Sequence, residues 1–271
     1  MQALDDYFPS GGVRLRFRDE GEGMPVVFIH GWTVDLDVWN PQARNLAGSM
    51  RVIRFDRRGF GLSQGAPSVA SDVDDLRVLL DRLAIPRASL VGSSQGARVA
   101  LSFAMRLPDR VAAIVLDGPP DEVGSQDAAG EGDFSVDEFR RLAQAGGADA
   151  FRRVWRAHPL MKLHTSDAKA QALLDAMLAR YPARDLLGPA SAPSQPVGTA
   201  LLERFRKPVL VVNGEFDTRV RLQAGERLRQ SLPAAERILI AGAGHLPNLD
   251  NPVDYDEAVQ TFLRRQSRAA A

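Results

Sequence analysis

Short runs of apolar, largely β-branched residues punctuate the chain: VVFI at 26–29, RVIRF at 51–55, ASLV at 88–91, VAAIVL at 111–116, VLVV at 209–212 and RILI at 237–240. Most of them lack polar residues at alternate positions, so they read as strands covered on both faces, as in a parallel sheet. Between many of them the period becomes helical. In SDVDDLRVLLDRL, Ser71 is a candidate N-cap, and Val73, Leu76, Leu79, Leu80 and Leu83 fall on one face. After Ser94, the residues Ala97, Ala100, Leu101, Ala104 and Met105 make a narrow stripe suited to close packing on a sheet. Strand and helix in alternation predict a doubly wound α/β layer structure. Upstream, VRLRFRD at 13–19 alternates apolar with charged residues and predicts a half-exposed antiparallel edge strand.

The alternation stops between about 121 and 198. A polar stretch, DEVGSQDAAGEGD, leads to three helical segments at 135–144, 148–158 and 166–181, and a proline-rich exit, GPASAPSQP, follows them. The predicted organisation is a core made of 1–120 and 199–271, with 121–198 inserted as a helical cap. In the second segment Phe151, Val154, Trp155 and His158 share a face, opposite Arg152, Arg153 and Arg156. That face reads as packing against the core rather than as pocket lining, and the arginines as solvated surface.

Composition narrows the partners. Lys and Arg total 34, as do Asp and Glu, so no global field draws the chain to nucleic acid or to an anionic membrane. Small molecules are the expected partners, and oligomeric state is not legible. There is no cysteine, which removes disulfides, thiolate metal sites and a cysteine nucleophile together. The start of the chain has no basic leader, and no apolar run reaches the roughly 18–20 residues that a bilayer span needs. A soluble cytoplasmic protein is the expectation. Neither a phosphate-binding loop, a dinucleotide fingerprint nor an H-E-x-x-H pair is present, so no cofactor and no metal is called for.

The chemistry-bearing residues converge in a parallel sheet. A serine hydroxyl becomes a good nucleophile when an imidazole takes its proton, and that imidazole needs an acid to fix its tautomer. In such a sheet these groups must emerge at the carboxyl ends of strands. Ser94 follows the ASLV strand, Asp217 follows VLVVNGEF, and His245 follows ILIAGAG, one of only four histidines. In GSSQG the pattern G-x-S-x-G makes Ser94 the central residue and Ser93 the spacer, because side chains at Gly92 and Gly96 would collide in a sharp strand-to-helix turn.

These residues resemble the α/β-hydrolase family over roughly 13–118 and 207–265. HGW at 30–32, FDRRGFGLS at 55–63, GSSQG, NGEFD and GAGHLP carry the resemblance, which looks most like the cofactor-free arylesterase and haloperoxidase-like branch. It implies an α/β-hydrolase fold, with Ser94 as nucleophile, His245 as general base and acid, and Asp217 as its orienter. It also implies an oxyanion hole made by the backbone N–H groups of Trp32 and Gln95. Asp117, which ends another strand, is a weaker candidate for the acid. Asp56 and Arg57 read as braces of their turn, and His30 as a support behind the oxyanion loop. His164 has no partner in this reading. Branch members often carry an apolar residue where Gln95 stands and glycine where Ala97 stands, which leaves the substrate open. The implied activity is hydrolysis of small-molecule esters or lactones through an acyl-enzyme. Carbon–carbon bond hydrolysis of a vinylogous diketone and a non-catalytic ligand receptor are the alternatives.

Overall fold

The computed structural model describes residues 4–124, 134–189 and 195–269. The strands are β1 (Asp6–Ser10), β2 (Val13–Glu20), β3 (Pro25–Ile29), β4 (Arg51–Phe55), β5 (Ala88–Ser93), β6 (Val111–Asp117), β7 (Val209–Gly214) and β8 (Ala235–Ile240). They form one 8-stranded sheet in the order β1-β2-β4-β3-β5-β6-β7-β8. The β1, β2 and β4 pairings are antiparallel, and every pairing from β4 onward is parallel.

Along the parallel strands, successive side chains enter two separate apolar clusters. Val26, Phe28, Val52, Val91 and Val115 pack with α1 (Asn40–Leu46) and α10 (Pro252–Ala269). Their neighbours Val27, Ile29, Ile53, Leu90 and Ile114 pack on the other face with α2 (Val69–Arg82), α3 (Gln95–Arg106) and α8 (Arg219–Ser231). A strand covered on both faces has no polar alternation to show, which is why these strands read as continuous apolar runs.

Three expectations change in detail. The β2 strand is not the edge: β1 lies outside it, and Leu15, Arg16, Phe17 and Arg18 are all buried. Its alternating arginines meet carboxylates rather than water, Arg16 facing Asp5 at 2.9 Å and Asp56 at 3.3 Å, and Arg18 facing Asp37 at 3.0 Å. The RILI run is β8 at the opposite edge, with Leu239 half exposed. The N-cap of α2 is Ser68, whose side chain accepts from the Ser71 N–H.

Between β6 and β7 lie α4 (Val136–Arg156), α5 (Ala168–Arg180), α6 (Arg184–Leu187) and α7 (Thr199–Leu202), with no strand among the described residues there. The break expected between 144 and 148 is a kink inside α4, where Gly147 adopts φ 74° and ψ 177°. Much of the polar entry and proline-rich exit, 125–133 and 190–194, lies outside the described residues. A short α9 (Pro247–Asp250) follows β8 and leads into α10. Among the described residues no helix is long and apolar enough to cross a membrane.

Candidate active site

The β5 strand ends at Ser93 and α3 begins at Gln95, so Ser94 is the whole turn between them. Its φ of 51° and ψ of −115° are a conformation that costs a non-glycine residue on the order of 1–3 kcal/mol. The turn leaves no room at its base: a Cβ on Gly92 would lie 2.3 Å from the Gly96 carbonyl oxygen, and one on Gly96 would lie 2.2 Å from that of Ile29. Strand, serine and helix are thus held by backbone contact, and the serine is lifted to the carboxyl edge of the sheet.

Two other loops reach the same edge. Asp217 follows β7 and His245 follows β8, and His245 Nδ1 lies 3.0 Å from Asp217 Oδ1. The same oxygen accepts the Thr218 backbone N–H at 2.8 Å, and Oδ2 accepts from Asn213 Nδ2 at 3.2 Å. Burial alone raises the Asp217 pKa, but His245, its hydrogen bond, Arg221 and Asn213 outweigh that and hold the carboxyl below its ordinary value. The imidazole is pressed from below by Gly118, where a Cβ would stand 2.7 Å from His245 Cε1.

Ser94 and His245 both line a narrow slot of about 20 Å³, closed by Trp32, Trp155, Leu160 and Met161. The Ser94 hydroxyl makes no hydrogen bond to His245 among the described residues. The structure therefore brings the acid and the imidazole together, and sets the serine beside them without closing that last link. Ser94 also opens on a larger cavity of about 590 Å³, lined by Trp32, Arg57, Gln95, Arg98, Phe134 and Asp185 among others. Trp32 and Gln95 line this cavity together with Ser94, and neither of their backbone N–H groups has an acceptor among the described residues.

A family model described as alpha/beta hydrolase fold matches residues 24–252. The chain belongs to the α/β-hydrolase family. Within it, the chain is 29% identical to the 2-hydroxymuconate semialdehyde hydrolase of Pseudomonas sp. (strain CF600), covering 96% of this chain and 94% of that one. Among solved structures, a thermophilic esterase from Thermogutta terrifontis is 26% identical with a TM-score of 0.75, covering 98% of this chain and 99% of that one. A bromoperoxidase from Bacillus anthracis is 25% identical with a TM-score of 0.82, covering 96% of this chain and 100% of that one. The chain is a hydrolase of this family.

Other residues singled out in this hydrolase fall into place around the site. Asp117 ends β6 fully buried, beside Ser93 and Tyr255. Burial, then the neighbouring Asp217 charge, push its pKa well above the usual carboxylate range, the opposite direction to the shift on Asp217. Asp56 accepts the Leu36 and Leu62 backbone N–H groups, both at 2.8 Å, and braces its turn. His30 Nε2 accepts the Arg57 backbone N–H at 2.9 Å, which leaves Nδ1 to donate to the Gly31 carbonyl at 2.8 Å. Burial, then the Arg57 charge, push the His30 pKa well below its ordinary value and hold that neutral tautomer. The Gln95 side chain accepts from the Arg57 guanidinium.

The helical face of α4 divides. Phe151 and Trp155 are buried and pack on Trp32, with ring centroids at 5.6 Å and 4.9 Å, while Val154 is 49% exposed. Trp155 also donates to Thr33 Oγ1 at 2.7 Å and lines the slot, so packing and pocket lining are one role. Of the three arginines, Arg153 is exposed, but Arg152 donates to the Tyr181 carbonyl and Arg156 to Gln171 Oε1 at 2.8 Å. Long side chains can cover apolar surface while spending their charge on a neighbouring carbonyl, which periodicity cannot reveal. His164 rests half-buried against Phe216, with ring centroids 5.1 Å apart. Phe134, Tyr181 and Asp185 were not anticipated. Asp185 accepts from both the Trp32 indole and the Tyr181 hydroxyl, an arrangement with no signature along the chain.

Proposed function

We propose that this hydrolase cleaves carboxylic esters or lactones of small molecules through an acyl-enzyme on Ser94. The observation that carries the reading is the strained single-residue turn at Ser94, opening on the slot it shares with a His245 already hydrogen-bonded to Asp217. In the reaction, Ser94 Oγ attacks the acyl carbon while His245 Nε2 takes its proton. The carbonyl oxygen becomes an oxyanion between the Trp32 and Gln95 N–H groups, each such donor being worth roughly 2.7–4 kcal/mol in the transition state. His245 gives the proton to the leaving alcohol, and a water repeats the cycle to release the acid. Asp217, kept ionised by its partners, stabilises the imidazolium that forms at each step. The cavity of about 590 Å³ suits a small-molecule substrate.

Carbon–carbon hydrolysis is the second reading, favoured by the relative that is 29% identical over nearly its whole length. The substrate in that relative's name contains no ester, so its hydrolysis breaks a carbon–carbon bond. Turnover of p-nitrophenyl acetate and a lactone panel, set against a vinylogous diketone, decides between them. Higher kcat/KM on the esters or lactones supports the first reading, and higher kcat/KM on the diketone overturns it in favour of the second.

A further inference from the structure

Arg57 is a fully buried arginine whose planar fork reaches both loops that carry the oxyanion donors. Its Nη1 donates to the His30 carbonyl at 3.3 Å, and its Nη2 donates to Gln95 Oε1. The His30 carbonyl belongs to the peptide next to the one that supplies the Trp32 N–H. Gln95 supplies the other N–H itself. Asp72 holds the remaining edge of the guanidinium, with Nε 3.2 Å from Oδ2. The two loops also meet through backbone, since a Cβ on Gly96 would lie 2.6 Å from the His30 carbonyl oxygen.

We propose that Arg57 is a positioning residue for the oxyanion hole, setting the separation of the Trp32 and Gln95 N–H groups by tying their two loops together. The physical ground is the rigidity of the fork: a guanidinium presents its donors in a fixed plane, so two acceptors bound to it cannot move apart independently. Without that tie, only the Gly96 backbone contact would fix the start of α3 against the His30 loop. Tied to a cation that only donates, Gln95 has one amide orientation, with its oxygen toward Arg57. An apolar side chain at this position could not be tied in that way. The buried positive charge also sits behind the place where negative charge develops.

This inference rests on the serine-hydrolase reading, and the experiment separates the two. The variants are Gln95→Met, which keeps the peptide N–H but removes the acceptor, and Arg57→Lys, which keeps a charge but cannot span both loops. The readouts are kcat and KM on p-nitrophenyl acetate, and the Ki of phenylboronic acid, whose serine adduct also places an oxygen anion in the hole. The expected result is a loss in kcat of about 10- to 100-fold, as for a misplaced catalytic group. The boronate should weaken by a matching factor, and KM should change less than about twofold on the same argument. Unchanged kcat and Ki in Gln95→Met, or a loss confined to KM, overturns the proposal. If Arg57→Lys does not fold, Gln95→Met alone decides, because its side chain is only half-buried. Should the parent protein neither turn over the ester nor react with a fluorophosphonate, the serine-hydrolase reading falls, and this inference with it.

Discussion

The turns at the carboxyl ends of β5, β6, β7 and β8 hold their side chains by close backbone approach and hydrogen bonds, whereas α4, α5 and α6 hold theirs by side-chain packing. On the sheet, Gly92, Gly96 and Gly118 stand where a single added carbon would strike a neighbouring backbone or the His245 ring. Above it, Trp32 is covered by Phe134 at 5.1 Å, Phe151 at 5.6 Å and Trp155 at 4.9 Å, contacts that another set of aromatic residues could supply. The difference is one of tolerance: the sheet side permits few sequences and the helical side permits many. Catalytic power and substrate choice should therefore separate along the same line.

The sharpest way to break that comparison is at Ser94, the proposed nucleophile. Ser94→Ala or His245→Ala should cut ester turnover by roughly ten-thousand-fold or more, while Ser93→Ala keeps it within about tenfold. A Ser93→Ala loss as large as that of Ser94→Ala would undo the assignment of roles within the turn. Next comes Gly118→Ala, whose Cβ meets the imidazole at 2.7 Å, at a residue with φ of 50°. A kcat loss of about 100-fold is expected from the displaced ring. Initial rates alongside a thermal melt separate this loss from simple unfolding.

On the helical side the expected effects change kind. Trp155→Ala removes a buried side chain and its hydrogen bond to Thr33, so stability should fall by about 3–5 kcal/mol in a denaturant titration. In the folded variant, kcat on a small ester should stay within about tenfold, and preference should move toward bulkier acyl groups as the slot widens. A variant that lost all turnover yet kept its stability would erase the distinction between the two regions.

The smallest effect is a pH dependence of stability. Burial, reinforced by the nearby Asp35 charge, raises the Asp56 pKa to about 7, and burial raises that of Asp72 to about 6. Both carboxyls hold a proton in the fold at pH values where the unfolded chain has released it. Their contribution is therefore complete below about pH 4 and is lost as pH rises through the folded values near 6 and 7. Melting should occur a few degrees lower at pH 8 than at pH 5, and Asp72→Asn should flatten that slope.

How far the chain announced itself follows the same division. Strands buried on both faces and the G-x-S-x-G turn were legible because sterics restrict which residues fit there, and the order of Ser94, Asp217 and His245 followed from strand ends. The β1 strand was not legible, because five residues that include Pro9 look like a turn, and an edge strand tolerates proline on its open side. The inward paths of Arg16 and Arg18 were hidden for another reason: alternation with charge reads as exposure until Asp5, Asp37 and Asp56 arrive from distant segments. Likewise the cap is Ser68 rather than Ser71, three positions earlier, because the segment SVAS offers a serine at each end. The Arg57 tie to Gln95 depends on two loops 38 residues apart, and no local pattern encodes it.

The central claim is that Ser94 forms the acyl-enzyme, and intact-mass spectrometry after treatment with a fluorophosphonate tests it most directly. A single adduct is expected, mapped by peptide analysis to Ser94, retained in Ser93→Ala and lost in Ser94→Ala. A folded, unlabelled parent protein, or an adduct that survives in Ser94→Ala, would contradict it.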